Sequence, residues 1–193
     1  MSAETAAEMY LPHFVVKQKL TLMVNRYEVS ESDASGTPTR LMALAEQKRM
    51  AFKEQVTFFA DAGKQRAVFG FKARKKLDLN AGYDITDESG AQIGYFKKDF
   101  GASLMRSTFH VEGPGFTGTG RERNQVAGLL RRFTELDFIP IHFDFVDPTG
   151  SPLFSVERKM SLGDRYRVTV PDQRVDFRVA AAVAVALDAL MAR

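Results

Sequence analysis

Between residues 13 and 171 the apolar side chains recur mainly at every second position, in short bursts separated by turn-forming residues. Ile141, Phe143 and Phe145 alternate with His142 and Asp144, and Tyr166, Val168 and Val170 alternate with Arg165, Arg167 and Thr169. A period of two puts alternate side chains on opposite faces of an extended chain, so each burst predicts a strand with one buried face. Four stretches share a longer design: YEVSESDASGTPTRLMALAEQKR, VTFFADAGKQRAVFGFKARKK, YDITDESGAQIGYFKK and IHFDFVDPTGSPLFSVERK. Each reads strand, turn, strand, and ends in basic residues. Their turns pair Asp33 with Gly36, Asp61 with Gly63, Asp87 with Gly90, and Asp147 with Gly150. Asp can accept a hydrogen bond from the backbone two residues on, and Gly supplies positive φ, so these pairs predict hairpins. Further strands are expected at 13–17, 20–30, 104–112, 116–120 and 164–171. Counting both arms of each hairpin gives about a dozen short strands, the signature of a barrel or sandwich.

Two segments carry a helical period instead. RNQVAGLLRRF places Val126, Leu129, Leu130 and Phe133 on one stripe, with Arg131 and Arg132 beside it, and predicts a short amphipathic helix. The closing segment RVDFRVAAAVAVALDALMAR has no polar side chain from Val179 to Leu187. A membrane span needs about 20 mostly apolar residues. Here the run stops at Asp188, and Asp176 and Arg178 interrupt it at the other end. A helix apolar on all sides belongs inside a fold, and its alanines suit a place where strands close in from every direction. Val175, Val179, Val183, Leu187 and Leu190 or Met191 form one bulkier stripe. The expectation is a core helix over 175–192, about 27 Å long, filling a barrel and leaving no large internal ligand cavity.

Composition adds bounds. The 193 residues suit one domain with a sizeable core; 45% are hydrophobic and 26% charged, an ordinary globular balance. No Pro/Ser-rich linker divides the chain, so a flexible start over 1–12 and one domain over 13–193 are expected. A net charge of +3 and a pI near 9.2 permit an acidic partner without requiring one. With no cysteine, disulfides, thiolate zinc sites and cysteine nucleophiles are excluded. The opening MSAETAAEMYLPHF has acidic Glu4 and Glu8 and no basic, apolar leader pattern, which predicts a cytoplasmic protein.

About a dozen strands followed by an apolar helix resembles the tubby C-terminal-like superfamily, and most closely its LURP-one-related and phospholipid-scramblase-like branch. The likeness rests on YDITDESGAQIGYFKK, TGRERN, HFDFVDPTGSPLFSVERK, DRYRVTV and VAAAVAVALDAL, in that order, within residues 14–193. It implies a mainly β fold: a single closed antiparallel barrel of about twelve strands around the buried C-terminal helix. It also implies binding of phosphoinositide headgroups by basic surface residues, or association with membranes. The chain lacks the cysteine-rich palmitoylation segment and Pro-rich N-terminal region of eukaryotic scramblases, which counts against scrambling itself.

The densest basic stretch is KQRAVFGFKARKK, with Lys64, Arg66, Lys72, Arg74, Lys75 and Lys76 and no acid. Lys97 and Lys98 end the next hairpin, Arg106 follows, and Arg158 and Lys159 end another. Were these hairpin ends to share a rim, Lys72, Arg74, Lys75, Lys76, Lys97, Lys98, Arg106, Arg158 and Lys159 would form a headgroup-binding patch. Arg clamps a phosphate bidentately and Lys acts as a point charge. Solubilising strand ends and guarding edges is the default use of such residues. Arg121, Arg123, Arg131 and Arg132 form a second cluster, which Glu122 and Glu135 would neutralise locally.

Other motifs fail on inspection. Gly113 to Gly118, GPGFTG, matches a dinucleotide-loop glycine pattern, but Pro114 and the following strand-like FTGTGR predict a wide turn. DLNAGYDITDESG has Gly82 fifth and Ser89 twelfth, where a calcium loop needs Gly sixth and Glu twelfth; a hairpin is expected. His142 and Asp144 share a strand face and read as a surface pair, with Asp137 and Asp147 nearby; His13 and His110 stand in no ligand spacing. No catalytic, metal or cofactor site is indicated. The expected function is a non-enzymatic, monomeric binding domain for anionic headgroups, peripheral at a membrane. A protein-interaction module without lipid affinity is the alternative, and nucleic-acid binding lacks the interleaved aromatics it would need.

Overall fold

The computed structural model describes residues 9–20, 24–48, 55–74, 82–99, 108–123, 142–159 and 165–191. These residues form twelve strands: β1 (His13–Leu20), β2 (Val24–Ser32), β3 (Pro38–Lys48), β4 (Gln55–Phe59), β5 (Ala67–Ala73), β6 (Tyr83–Asp87), β7 (Gln92–Asp99), β8 (Thr108–Gly113), β9 (Phe116–Glu122), β10 (His142–Val146), β11 (Pro152–Lys159) and β12 (Arg165–Thr169). Each pairs antiparallel with its neighbour in sequence, and β1 pairs with β12, so the sheet closes on itself. Closure removes the free edges that otherwise invite aggregation. Beyond Arg123, the expected amphipathic helix of RNQVAGLLRRF falls outside the described residues.

The helix α1 (Phe177–Met191) fills the barrel. Every residue from Val179 to Leu187 is fully buried. The walls supply the bulk and the helix supplies the small side chains. Phe58 stacks on Phe69 at 4.1 Å, Tyr83 on Phe96 at 4.8 Å and Phe145 on Phe154 at 4.2 Å, all directed inward. Alanines at 180, 181, 182, 184 and 186 let these rings approach the helix backbone. At Gly94 of β7 even a Cβ would lie 2.8 Å from Val179 Cγ2, so the strand itself yields room to the helix. Among the described residues no helix is long and apolar enough to cross a membrane.

The helix begins two residues later than the sequence pattern suggests, because Asp176 caps it. Asp176 Oδ1 accepts from Arg178 N at 2.8 Å, the role of an N-cap side chain. The same carboxylate takes Arg178 Nη2 at 2.6 Å and Nε at 3.0 Å, and both residues are buried. The two charges that interrupt the apolar run thus neutralise each other at the mouth of the barrel. Residues 9–12, expected to be frayed, are tied to this mouth. Met9 O accepts from Phe177 N, Pro12 O from Val170 N, and Tyr10 Oη donates to Val170 O, each at 2.9 Å.

Three of the turns are built alike. In Asp33–Thr37, Asp87–Ala91 and Asp147–Ser151 the Asp Oδ1 accepts from the backbone N–H groups two and four residues on, at 2.9–3.0 Å. It also accepts the hydroxyl of Ser35, Ser89 or Thr149 at 2.6–2.7 Å. Gly36, Gly90 and Gly150 hold φ of 84–87°. The fourth turn departs from expectation. Gly63 takes the place of the Ser or Thr, its N–H donating to Asp61 Oδ1, and the positive φ of 55° falls on Lys64. Gly113–Gly118 proves tighter than expected: Gly113 pairs with Phe116, leaving a two-residue turn of Pro114 and Gly115, with φ of 77° at Gly115. Pro then Gly is the pairing a type II turn favours.

Two expectations follow. Val183→Asp buries a charge with no partner and should abolish the cooperative melt followed by circular dichroism. Val183→Ala should cost about 2 kcal/mol and still melt cooperatively; a Val183→Asp melt near the parent's would contradict the central helix. The second concerns pH. Hydrogen bonds, first from the Ser or Thr hydroxyl and then from backbone N–H groups, hold the Asp33, Asp87 and Asp147 carboxyls below their ordinary range. Their stabilisation is complete above the unfolded pKa of about 3.9 and is lost as pH falls through the lower folded values. Replacing all three by Asn keeps the acceptor oxygen and removes the titration. Urea unfolding between about pH 7 and about pH 2 should then show a shallower loss of stability with acid than the parent.

Candidate functional site

Strand direction decides where the basic residues go. In an up-and-down barrel the C-terminal ends of the odd-numbered strands share one rim, and the Asp turns and the Pro114–Gly115 turn close the other. Lys72 and Arg74 at the end of β5, Lys97 and Lys98 at the end of β7, and Arg158 and Lys159 at the end of β11 all belong to the first rim. Lys75, Lys76 and Arg106 lie outside the described residues, and of Lys159 only the strand position is described.

Sharing a rim does not make these residues one patch. Directly opposed residues in an antiparallel pair share a face. Lys98 opposes the fully buried Phe109, and Arg158 opposes the fully buried Tyr166, so both stand on the inward side of the barrel wall. Lys72 and Lys97 stand on the outer face. Lys72 opposes Asp84, while Arg74 reaches the same carboxylate at 2.8 Å and lies 4.0 Å from the Tyr95 ring centre. Lys97 opposes His110, whose Nε2 is 3.7 Å from Asp99. Further round, Arg121 opposes Asp144, and Arg123 grips Asp144 through two hydrogen bonds of 2.6 and 2.7 Å. Across β5 to β10, outward cations therefore alternate with carboxylates.

The other side of the barrel differs. Lys17 of β1 directly opposes Arg165 of β12, and Arg165 directly opposes Lys159 of β11. Lys17 thus stands between Glu28 of β2 and Arg165 of β12, and the two opposed cations repel across the pair. The nearest carboxylates on this face are engaged or displaced. Glu28, opposite Lys17, pairs with Lys19. Glu157 opposes Arg167, which crosses to the Ser35 carbonyl. Asp164 lies outside the described residues. Local sequence clustering singled out neither Lys17 nor Arg165; the signal is register, which joins residues 148 positions apart and is absent from any short window.

Beneath this row the wall is pinned from inside. Asp188 of α1, 4% exposed, accepts from Tyr27 Oη at 2.9 Å and from Tyr166 Oη, and Gln18 Nε2 donates to Tyr27 Oη at 3.3 Å. Burial first, and then the Asp188 charge, pushes the Tyr27 hydroxyl well above its ordinary range, so it remains a donor. Gln18 follows Lys17 and Tyr166 follows Arg165, so the buried network fixes the two strands that hold the row.

His142 and Asp144 share the outer face as expected, 3.6 Å apart, with Asp144 committed to Arg123. Among the described residues no group of three or more His, Asp or Glu could hold a metal ion. No curated protein and no solved structure gives a significant match. The family model for LURP-one-related proteins matches residues 42–188, from β3 to the buried Asp188 of α1. The twelve-strand barrel and central helix agree with the tubby-like architecture tied to that family. The chain belongs to the LURP-one-related family.

Proposed function

We propose that this barrel is a non-enzymatic binding domain that recognises anionic phospholipid headgroups reversibly through cations on its outer face near one rim. The observation behind this reading is the segregation made by strand direction: Lys17, Lys72, Lys97, Arg165 and the Lys159 position gather toward one end, while the Asp turns close the other. Each of these cations that reaches a negative surface contributes about 1 kcal/mol. The filled interior fits surface recognition better than enclosure of a ligand, since Val179 to Leu187 occupy the barrel axis. Among the described residues Leu41 is the exposed large hydrophobic, at 46%. A headgroup site, which is mainly basic, therefore accounts for more of this surface than an apolar docking face does.

Vesicle co-sedimentation tests the reading. The purified chain should pellet with vesicles containing phosphatidylserine or a polyphosphoinositide and not with phosphatidylcholine alone, and raising the salt should release it. Absence of binding to every vesicle, or equal binding to neutral ones, would overturn it.

A further inference from the structure

The ring of twelve strands is not equally zipped around its circumference. Among the described residues two pairs, Leu44–Phe59 and Ala45–Phe58, join β3 to β4, whereas every other junction carries four or more. β3 is eleven residues long and pairs with β2 at nine positions, so its thin attachment to β4 does not come from a lack of strand. The junction of the first and last strands, by contrast, has five pairs and the Asp188 network behind it. We propose that the barrel opens along β3 and β4, and that Lys64, Glu46 and Arg26 form an ionic clasp that holds this junction closed.

The clasp joins three elements on the outer face. Glu46 of β3 takes Arg26 Nε of β2 at 2.5 Å and also pairs with Lys64 Nζ from the β4–β5 turn. The hydrogen bond from Lys64 is the main reason that the Glu46 carboxyl lies below its ordinary range. The turn itself supplies an independent observation. Gly36, Gly90 and Gly150 hold the positive-φ position of the three sister turns, where a Cβ is disfavoured, yet the fourth turn puts Lys64 there. Lysine gives this turn what glycine cannot, a side chain that crosses to β3. Parting of β3 from β4 leaves the β2–β3 and β4–β5 hairpins whole, with nine and five pairs. It separates the half-buried outer pair of Leu44 and Phe59 and the inward pair of Ala45 and Phe58. Because the clasp is ionic and lies at the surface, neutralising Lys64 or adding salt loosens the junction.

Native-state hydrogen exchange of the full chain tests both parts. The amides of Leu44, Ala45 and Thr57 to Phe59 should exchange through a local opening, at a free energy below that of β1, β12 and α1. Exchange of these amides in step with β1 and β12 would overturn the opening. Rates in the variants are read relative to β1 and β12, which separates local loosening from global destabilisation. Lys64→Gly should speed exchange at the junction about threefold, and Glu46→Gln, which loses both partners, about tenfold, the order expected of exposed ion pairs. Lys64→Arg should retain the parent's rate. Glu28→Gln, which releases Lys19 at the β1–β2 junction, should not alter it. If Lys64 served its turn alone, glycine would relieve the positive φ and leave exchange unchanged or slower; that result would overturn the clasp. Raising salt from about 0.05 M to about 0.5 M should speed exchange at the junction in the parent and not in Glu46→Gln. Equal salt sensitivity in the two proteins would also overturn the clasp.

Discussion

Everything in this molecule depends on enclosing a helix that has no polar side. The nine residues from Val179 to Leu187 are each fully buried, and no open sheet could cover such a segment. A closed sheet can, and closure requires β1 to meet β12. The first strand and the last, joined edge to edge, thus form the seam of the barrel. The helix ends pose a different problem, since charges there must enter a low-dielectric interior. Asp176 answers it by capping the helix and pairing with Arg178, and Asp188 by taking hydroxyl donors from Tyr27 and Tyr166. Deleting one partner of a buried pair such as Asp176–Arg178 leaves an uncompensated charge, which typically costs 3–5 kcal/mol.

Function on this reading is a consequence of the same closure. Strand direction sorts the short Asp turns to one end and the basic strand ends to the other. Closure at the seam then brings Lys17 beside Arg165, and register adds the Lys159 position. The buried Asp188 network lies one side chain inside that row. Structural stability and the candidate binding surface are therefore linked through the backbone of β1 and β12, without any side chain serving both.

The legible parts of the sequence were those in which structure is decided locally. The unbroken apolar run announced the central helix, and the two-residue alternation announced the strands. Three Asp-to-Gly turns were readable because their hydrogen bonds close within five residues. The Asp61 turn was misassigned because Gly63 looked like the positive-φ residue, while the spacing used by the other three turns places that conformation on Lys64. Asp188 looked like the end of an apolar run because its partner Tyr27 lies 161 residues away. The basic patch suffered most. Residues adjacent in sequence, such as Lys97 and Lys98, point to opposite faces of the wall, whereas Lys17 and Arg165 become neighbours only through long-range pairing.

The central claim is that α1 is the core about which the barrel closes, and native-state hydrogen exchange resolved by residue tests it without altering the protein. The amides of Ala182 to Leu187 should exchange only through global unfolding, with the same free energy as urea denaturation, and together with the best-protected amides of β1 and β12. Exchange of those helix amides at a markedly lower free energy than the strands would mean that the helix leaves while the barrel persists. That result would contradict the account.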